Sequence, residues 1–422
     1  MMIFLNLAIK SLKNRALATT LTVISIALSV GLLLSVERAQ RAAQEGFTQT
    51  ISKTDLIVGA RSGPLQLILY TVFNMGNATH NVSYETYQEL KKHPAIEWTI
   101  PYSLGDSHRG FRVVGTTADF FKHYRYRGDQ QISLQAGHEL QDLWDVVVGA
   151  EVAHKLGYKL GDSVVIAHGV TKGEGVVKHD RRPFKIAGIL NSTGTPLDRS
   201  VYVSLEGMEA LHLDWQDGAV PSAAKETPVA EIKKEDIKVH SITSFFVGAK
   251  SRIETLKLQR EINEFKSEPL LAIIPGATLS ELWQGLSYVE NVLRMISWMV
   301  LAVGFMGMLI ALTTTLNERR REMAILRAVG AGSQQILGLL VFESALLTVV
   351  GVVSGTILSC VLAIALKPWL ENEFGLYLEG PAITGTELIY IFAAIVVGIL
   401  IGLIPALRAQ KQALKDGLSV RL

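Results

Sequence analysis

Four runs of this chain carry about 20 apolar residues each without a single acidic or basic side chain, the length needed to cross a hydrocarbon core. They cover residues 16–36, 295–317, 344–366 and 388–407, the first reading ALATTLTVISIALSVGLLLSV. Inside a bilayer every backbone polar group must be satisfied within the segment, so runs of this length can only be helices. The first run is longer than the apolar core of a secretion signal, and no small-x-small site directly precedes VERAQR. It is expected to remain as an uncleaved anchor.

Basic residues then set the topology, because they collect on the cytoplasmic side. Lys10, Lys13 and Arg15 precede the first run; Arg319, Arg320, Arg321 and Arg327 separate the second and third; Arg408, Lys411, Lys415 and Arg421 follow the fourth. The connection between the third and fourth runs instead carries Glu371, Glu373, Glu379 and Glu387 against Lys367. All three basic clusters therefore fall on one side, which places both termini in the cytoplasm. The resulting plan is a cytoplasmic amphipathic segment (1–15), transmembrane helices at 16–36, 289–316, 332–366 and 388–407, and a cytoplasmic connection (317–331). An extracytoplasmic loop (367–387) and a cytoplasmic tail (408–422) complete it. A domain of about 250 residues (37–288) is left on the opposite side, large enough for two subdomains.

The fold class expected is thus an α-helical membrane protein with four transmembrane helices and a large α+β extracytoplasmic domain inserted between helices 1 and 2. Within that domain DVVVGA, GDSVVIAHG, RPFKIAGIL and SVYVSL read as strands rich in β-branched and aromatic residues. EVAHKLGY, ending at Gly157, and LEGMEALHL read as short helices. Residues 214–236 have no apolar period and read as an exposed loop. Helical periodicity returns at 251–265 and 279–293, the latter continuing into the second apolar run as a stalk.

The formal net charge of +2 and 49% hydrophobic content speak against a nucleic-acid binder, which would show a basic face. The single cysteine, Cys360, permits no internal disulfide. Between the second and third apolar runs lies NERRREMAILRAVGA. Asn317 can cap a helix there and Gly330 can end it. Such a basic amphipathic helix could be a topology determinant, a helix lying on the lipid surface, or a docked helix.

The wording of that segment adds a resemblance. REMAILRAVGA is similar to the coupling-helix signature of FtsX-like ABC transporter permeases, and GLIPALRAQKQ resembles the family's Pro-Ala-x-x-Ala ending, with Pro405, Ala406 and Ala409 in place. NLAIKSLKNRALATTLTVISIALSV resembles the family's opening helix. VVVGAEVAHKLGYKLGDSVVI and FKIAGILNSTGTPLDRSVYVSLEGMEAL resemble the large domain of MacB-type and LolC/LolE-type permeases. This resemblance implies a bacterial inner-membrane permease subunit of the mechanotransmission kind. Its coupling helix would use Arg321, Glu322, Met323, Ile325, Leu326, Arg327, Val329 and Gly330. It also implies an ABC ATP-binding subunit as partner, a second permease copy (the same chain or a paralogue), and a periplasmic adaptor or carrier. The passenger would be lipophilic, a lipoprotein, a peptide or drug-like; a signalling regulator of a periplasmic partner is the alternative.

No G-x-x-x-x-G-K-[ST] loop occurs, so ATP and Mg are expected on the partner and no cofactor on this chain. The ten histidines show no helical metal-ligand spacing, and no metal site is assigned; His168 and His179, flanking GVTKGEGVVK, come nearest to one. No catalytic triad stands out. Glu343, near the start of the third apolar run, is expected to be solvated or paired with an arginine, the alternative being a functional acid within the membrane. Residues 62–79 concentrate Leu65, Leu67, Ile68, Leu69, Tyr70 and Phe73 between turn signals. They form either a core element or a surface for the bilayer or a lipophilic passenger.

Overall fold

A computed structural model describes residues 10–168, 179–214, 227–374 and 382–416. The chain divides into two compact units, one built on Ala43–Gly285 and the other on Met1–Ala42, Leu286–Leu370 and Leu378–Leu422.

The first unit is α+β. Ten strands among the described residues form one sheet: β1 (Leu56–Ala60), β2 (Ile96–His108), β3 (Phe111–Thr116), β4 (Leu134–Gly137), β5 (Asp145–Val148), β6 (Ser163–Val164), β7 (Phe184–Leu190), β8 (Ser200–Ser204), β9 (Ser244–Ala249) and β10 (Leu270–Ile273). Their order is β10-β1-β9-β2-β3-β8-β5-β7-β4, with β6 beside β7. Pairing is antiparallel except for β3 with β8 and β5 with β7, whose partners are separated by helical crossovers.

The 13-residue β2 joins two lobes. Its residues from Ile96 to Tyr102 pair with β9, and those from Ser103 to His108 pair with β3. Alternation along the strands feeds separate cores. Leu56, Val58, Phe245 and Val247 pack with Leu258 and Ile262 of the helix Arg252–Asn263 in one lobe; Val146, Val148, Val201 and Val203 pack with Phe184 in the other. A third cluster, including Tyr70, Tyr102, Phe120, Tyr202 and Phe246, draws on both lobes. GDSVVIAHG shortens to the two residues of β6, because beyond Val164 the chain pairs only through a bridge of Ala167 to Ser107.

The second unit is helical. Among the described residues four helices are long and apolar enough to cross a membrane: α1 (Ala16–Thr48), α2 (Pro275–Ala328), α3 (Ser333–Phe374) and α4 (Gly385–Asp416). Ile26, Val30, Leu33, Leu301, Phe305, Met308, Val352 and Ala394 make their common core. Close approach rests on small residues, as in membrane bundles where lipid offers no hydrophobic drive. A Cβ on Gly355 would stand 2.6 Å from the Ala27 carbonyl, and one on Gly402 would overlap the Ser344 side chain. Ser29 Oγ donates across helices to the Val300 carbonyl at 3.2 Å.

No helix starts at Asn317, contrary to the capping expected there. α2 runs through that position without a break, since neither glycine nor proline occurs from Met308 to Val329. Its end does fall at Gly330, which adopts φ +100°. Ala331 N–H donates to the Leu326 carbonyl and Gly330 N–H to the Arg327 carbonyl, both at 2.9 Å, a Schellman closure.

Candidate functional site

The turn between α2 and α3 gathers the residues with the coupling-helix pattern. Around it the structure sorts the apolar ones into two faces. Met323 turns inward, against a small core of Ile336, Leu340, Ala406 and Ala409. Ile325 and Val329, one helical turn apart, are 58% and 84% exposed. Leu326 and Arg327 are half-buried. The side chains of Arg321 and Glu322 lie outside the described residues. Ile325 and Val329 thus form an exposed pair of branched apolar side chains beside a tight turn.

A cavity beside this end of the unit is lined by Ser11, Arg15, Thr19, Thr315, Glu343 and Leu347. Glu343 is 1% exposed, which speaks against the solvated half of the expectation and leaves the arginine-paired half open. Arg15 donates to the Thr315 carbonyl at 3.1 Å in the same place. Toward the other end of the helices Glu387, fully buried, accepts from Arg38 Nε at 3.2 Å and Nη2 at 3.0 Å, and from Arg41 Nη2 at 3.1 Å. Read as a loop acid, Glu387 was only a topology signal; the fork geometry makes it an ion-pair partner.

In the outer domain, Pro64–Val72 is a helix. Leu67, Ile68, Tyr70 and Phe73 lie in the core shared by the two lobes, with Leu69 partly buried against it. Burial of Leu67, Ile68, Tyr70 and Phe73 fits the core reading of this stretch. Leu65 and Met75 remain exposed.

His168 and His179 do come together, with two residues the sequence offered no reason to join to them. Asp106 sits where the pairing of β2 with β3 shifts register, a break that re-aims side chains. The Ser107–Ala167 bridge sets Asp106 across from His168. His179 N–H donates to the Ile166 carbonyl at 2.9 Å. His212 follows the short helix Leu205–Ala210, where Arg182 donates to the carbonyls of Ala210 and Leu211. The Asp106 carboxylate raises the affinity of His168 for its proton, whereas burial pushes His179 down to about 4.

Two family matches together span most of the chain. Residues 17–264 match the MacB-like periplasmic core domain, and residues 294–414 match the FtsX-like permease C-terminal family. The chain belongs to the MacB-type, FtsX-like family of ABC transporter permeases. Among relatives of this permease is an uncharacterised ABC transporter permease of Methanocaldococcus jannaschii, 24% identical over 292 residues, covering 67% of this chain and 64% of that one. The macrolide export ATP-binding/permease protein MacB of Nitrobacter winogradskyi is 23% identical over 426 residues, covering 96% of this chain and 58% of its own. The pyoverdine export ATP-binding/permease protein PvdT of Pseudomonas savastanoi pv. phaseolicola is 33% identical over 112 residues, 26% of this chain and 16% of that one. The permease spans less than two thirds of the length of each of these relatives. Among solved structures, the periplasmic region of MacB from Actinobacillus actinomycetemcomitans aligns over 55% of this chain and 94% of its own, at 12% identity and a TM-score of 0.35.

Proposed function

We propose that this permease is the membrane subunit of an ABC transporter and turns ATP hydrolysis on a separate ATPase chain into conformational work by its periplasmic domain. It acts as a pair, with a second copy or a paralogue, and handles a lipophilic, lipoprotein, peptide or drug-like substrate. Both termini and the α2–α3 turn lie in the cytoplasm. The observation that carries this reading is the 54-residue α2, which continues without interruption to a turn bearing the exposed Ile325 and Val329. A helix of that length is a rod of about 80 Å at ~1.5 Å per residue. A tilt imposed on its last turn is therefore passed up the stretch from Met308 to Val329, which holds neither glycine nor proline to bend at.

Docking of that turn is tested by Ile325→Asp and Val329→Asp. Each puts a carboxylate into an apolar groove, at a cost of several kcal/mol that the interface avoids by opening. Both side chains are exposed, so the permease itself should fold and insert as before. Recovery of the ATPase with affinity-tagged permease should fall at least tenfold, whereas Met323→Ala should leave it near wild type. Unchanged recovery with both aspartate variants would leave the segment a topology signal only.

A further inference from the structure

We propose that Asp106, His168, His179 and His212 form a binding site for a divalent transition-metal ion of the zinc class in the periplasmic domain. One ligand atom from each of the four side chains lies within 4.8 Å of all the others. His168 Nδ1 is 3.1 Å from His212 Nε2 and 3.2 Å from Asp106 Oδ1, and His212 Nε2 is 3.7 Å from Asp106 Oδ2. Ligands on a tetrahedral zinc with bonds of about 2.05 Å stand roughly 3.3 Å apart, so these separations bracket the geometry required. His179 completes the set, its ring centred 5.0 Å from that of His212 and 6.5 Å from that of His168.

The donor set selects the ion. Three imidazoles and one carboxylate suit zinc and its neighbours, whereas calcium and magnesium demand oxygen ligands throughout. Four protein ligands close a tetrahedral coordination sphere, which marks a structural or regulatory ion and not one that activates water. The site is also supported and reachable. Asp106 and His179 are buried, while His168 is half exposed and gives the ion a way in. Arg182 holds the segment carrying His212 through the carbonyl of Leu211 at 3.1 Å. An ordinary surface cluster would account for an Asp106–His168 pair on its own. It does not account for two further imidazoles, one of them buried, turned to the same carboxylate. Bound metal would fasten together the end of β2, both flanks of residues 169–178, and the stretch after Leu205–Ala210.

The test uses the full chain purified in detergent, stripped with a chelator and titrated with zinc chloride by calorimetry. Cobalt(II) in place of zinc reports the coordination through its visible absorption. One ion per chain is expected, with no response to magnesium and the strong absorption of four-coordinate cobalt. The double variant His168→Ala/His212→Ala should weaken zinc binding about tenfold or more, as should Asp106→Asn. His80→Ala, at an exposed histidine elsewhere in the domain, should not. Absence of zinc binding by the wild-type chain would overturn the site. So would affinity that the double variant leaves unchanged, or the weak spectrum of six-coordinate cobalt. The wild-type titration and spectrum decide the matter even if a variant fails to fold.

Discussion

Glu387 shows how the worth of a single side chain depends on what is left when it is removed. Its carboxylate is fully buried and answers a buried Arg38 through two hydrogen bonds. Such a pair adds little net stability over apolar residues of equal volume, since both ions were desolvated to make it. Breaking it is another matter, because Arg38 is 9% exposed and would keep its charge with no counter-ion. Glu387→Gln should therefore destabilise the helical unit by about 3–5 kcal/mol. Arg38→Met/Glu387→Leu should recover most of that loss, with Arg41, 24% exposed, free to turn back to water. Thermal unfolding in detergent measures both. Equal losses in the single and double variants would mean that shape, and not charge, is what this position supplies.

Helices pose a different question, since their apolar runs were plain in the sequence but their mutual contacts were not. Charge-free stretches of about 20 residues give the four spans directly. GVVSG from Gly351 to Gly355 and GILIG from Gly398 to Gly402 carry the small-xxx-small spacing of close helix contacts, but that spacing does not say which helix each one meets. In the structure Gly355 meets the backbone of α1 and Gly402 meets Ser344 on α3. Gly355→Leu must push against main chain that cannot rotate away, an overpacking that costs about 1–3 kcal/mol or more. Ser344→Gly should soften the effect of Gly402→Ala, because it removes both the Cβ and the hydroxyl that the new methyl would meet, whereas no side-chain deletion should rescue Gly355→Leu. A double-mutant cycle on thermal midpoints checks the contrast, and full additivity at Gly402 and Ser344 would refute the contact. The outer domain was less legible at this scale. Its valine-rich strands and the Gly157 helix end followed from local pattern, but the sharing of β2 between lobes depends on pairings such as Tyr102 with Ser244, far apart in the chain, for which one sequence carries no period. The same is true of the four-residue cluster at 106, 168, 179 and 212. Its spacing is that of the sheet and not of a helix, so a search for ligands three or four residues apart passes over it.

At the scale of the whole molecule, the orientation proposed above rests on charge asymmetry, which acts during insertion and leaves no mark in a folded helix bundle. Lysine and arginine near the ends of short connections are held back from translocation, whereas large domains cross largely regardless of their charge. The turn after α2 follows four arginines within eleven residues, and the domain of about 250 residues is the part free to cross. A cysteine placed at Gln334, exposed beside that turn, should then be shielded from a membrane-impermeant thiol reagent in spheroplasts. One at Thr79, exposed in the outer domain, should react. Both need a background in which Cys360 is replaced by alanine, because it is the one native thiol. Once the membrane is permeabilised the Gln334→Cys variant should label as fully as Thr79→Cys, which separates topology from local burial. Labelling at 334 before permeabilisation would reverse the orientation. It would also remove the α2–α3 turn from the reach of any cytoplasmic ATPase, so that Ile325 and Val329 would have to serve a partner on the other side.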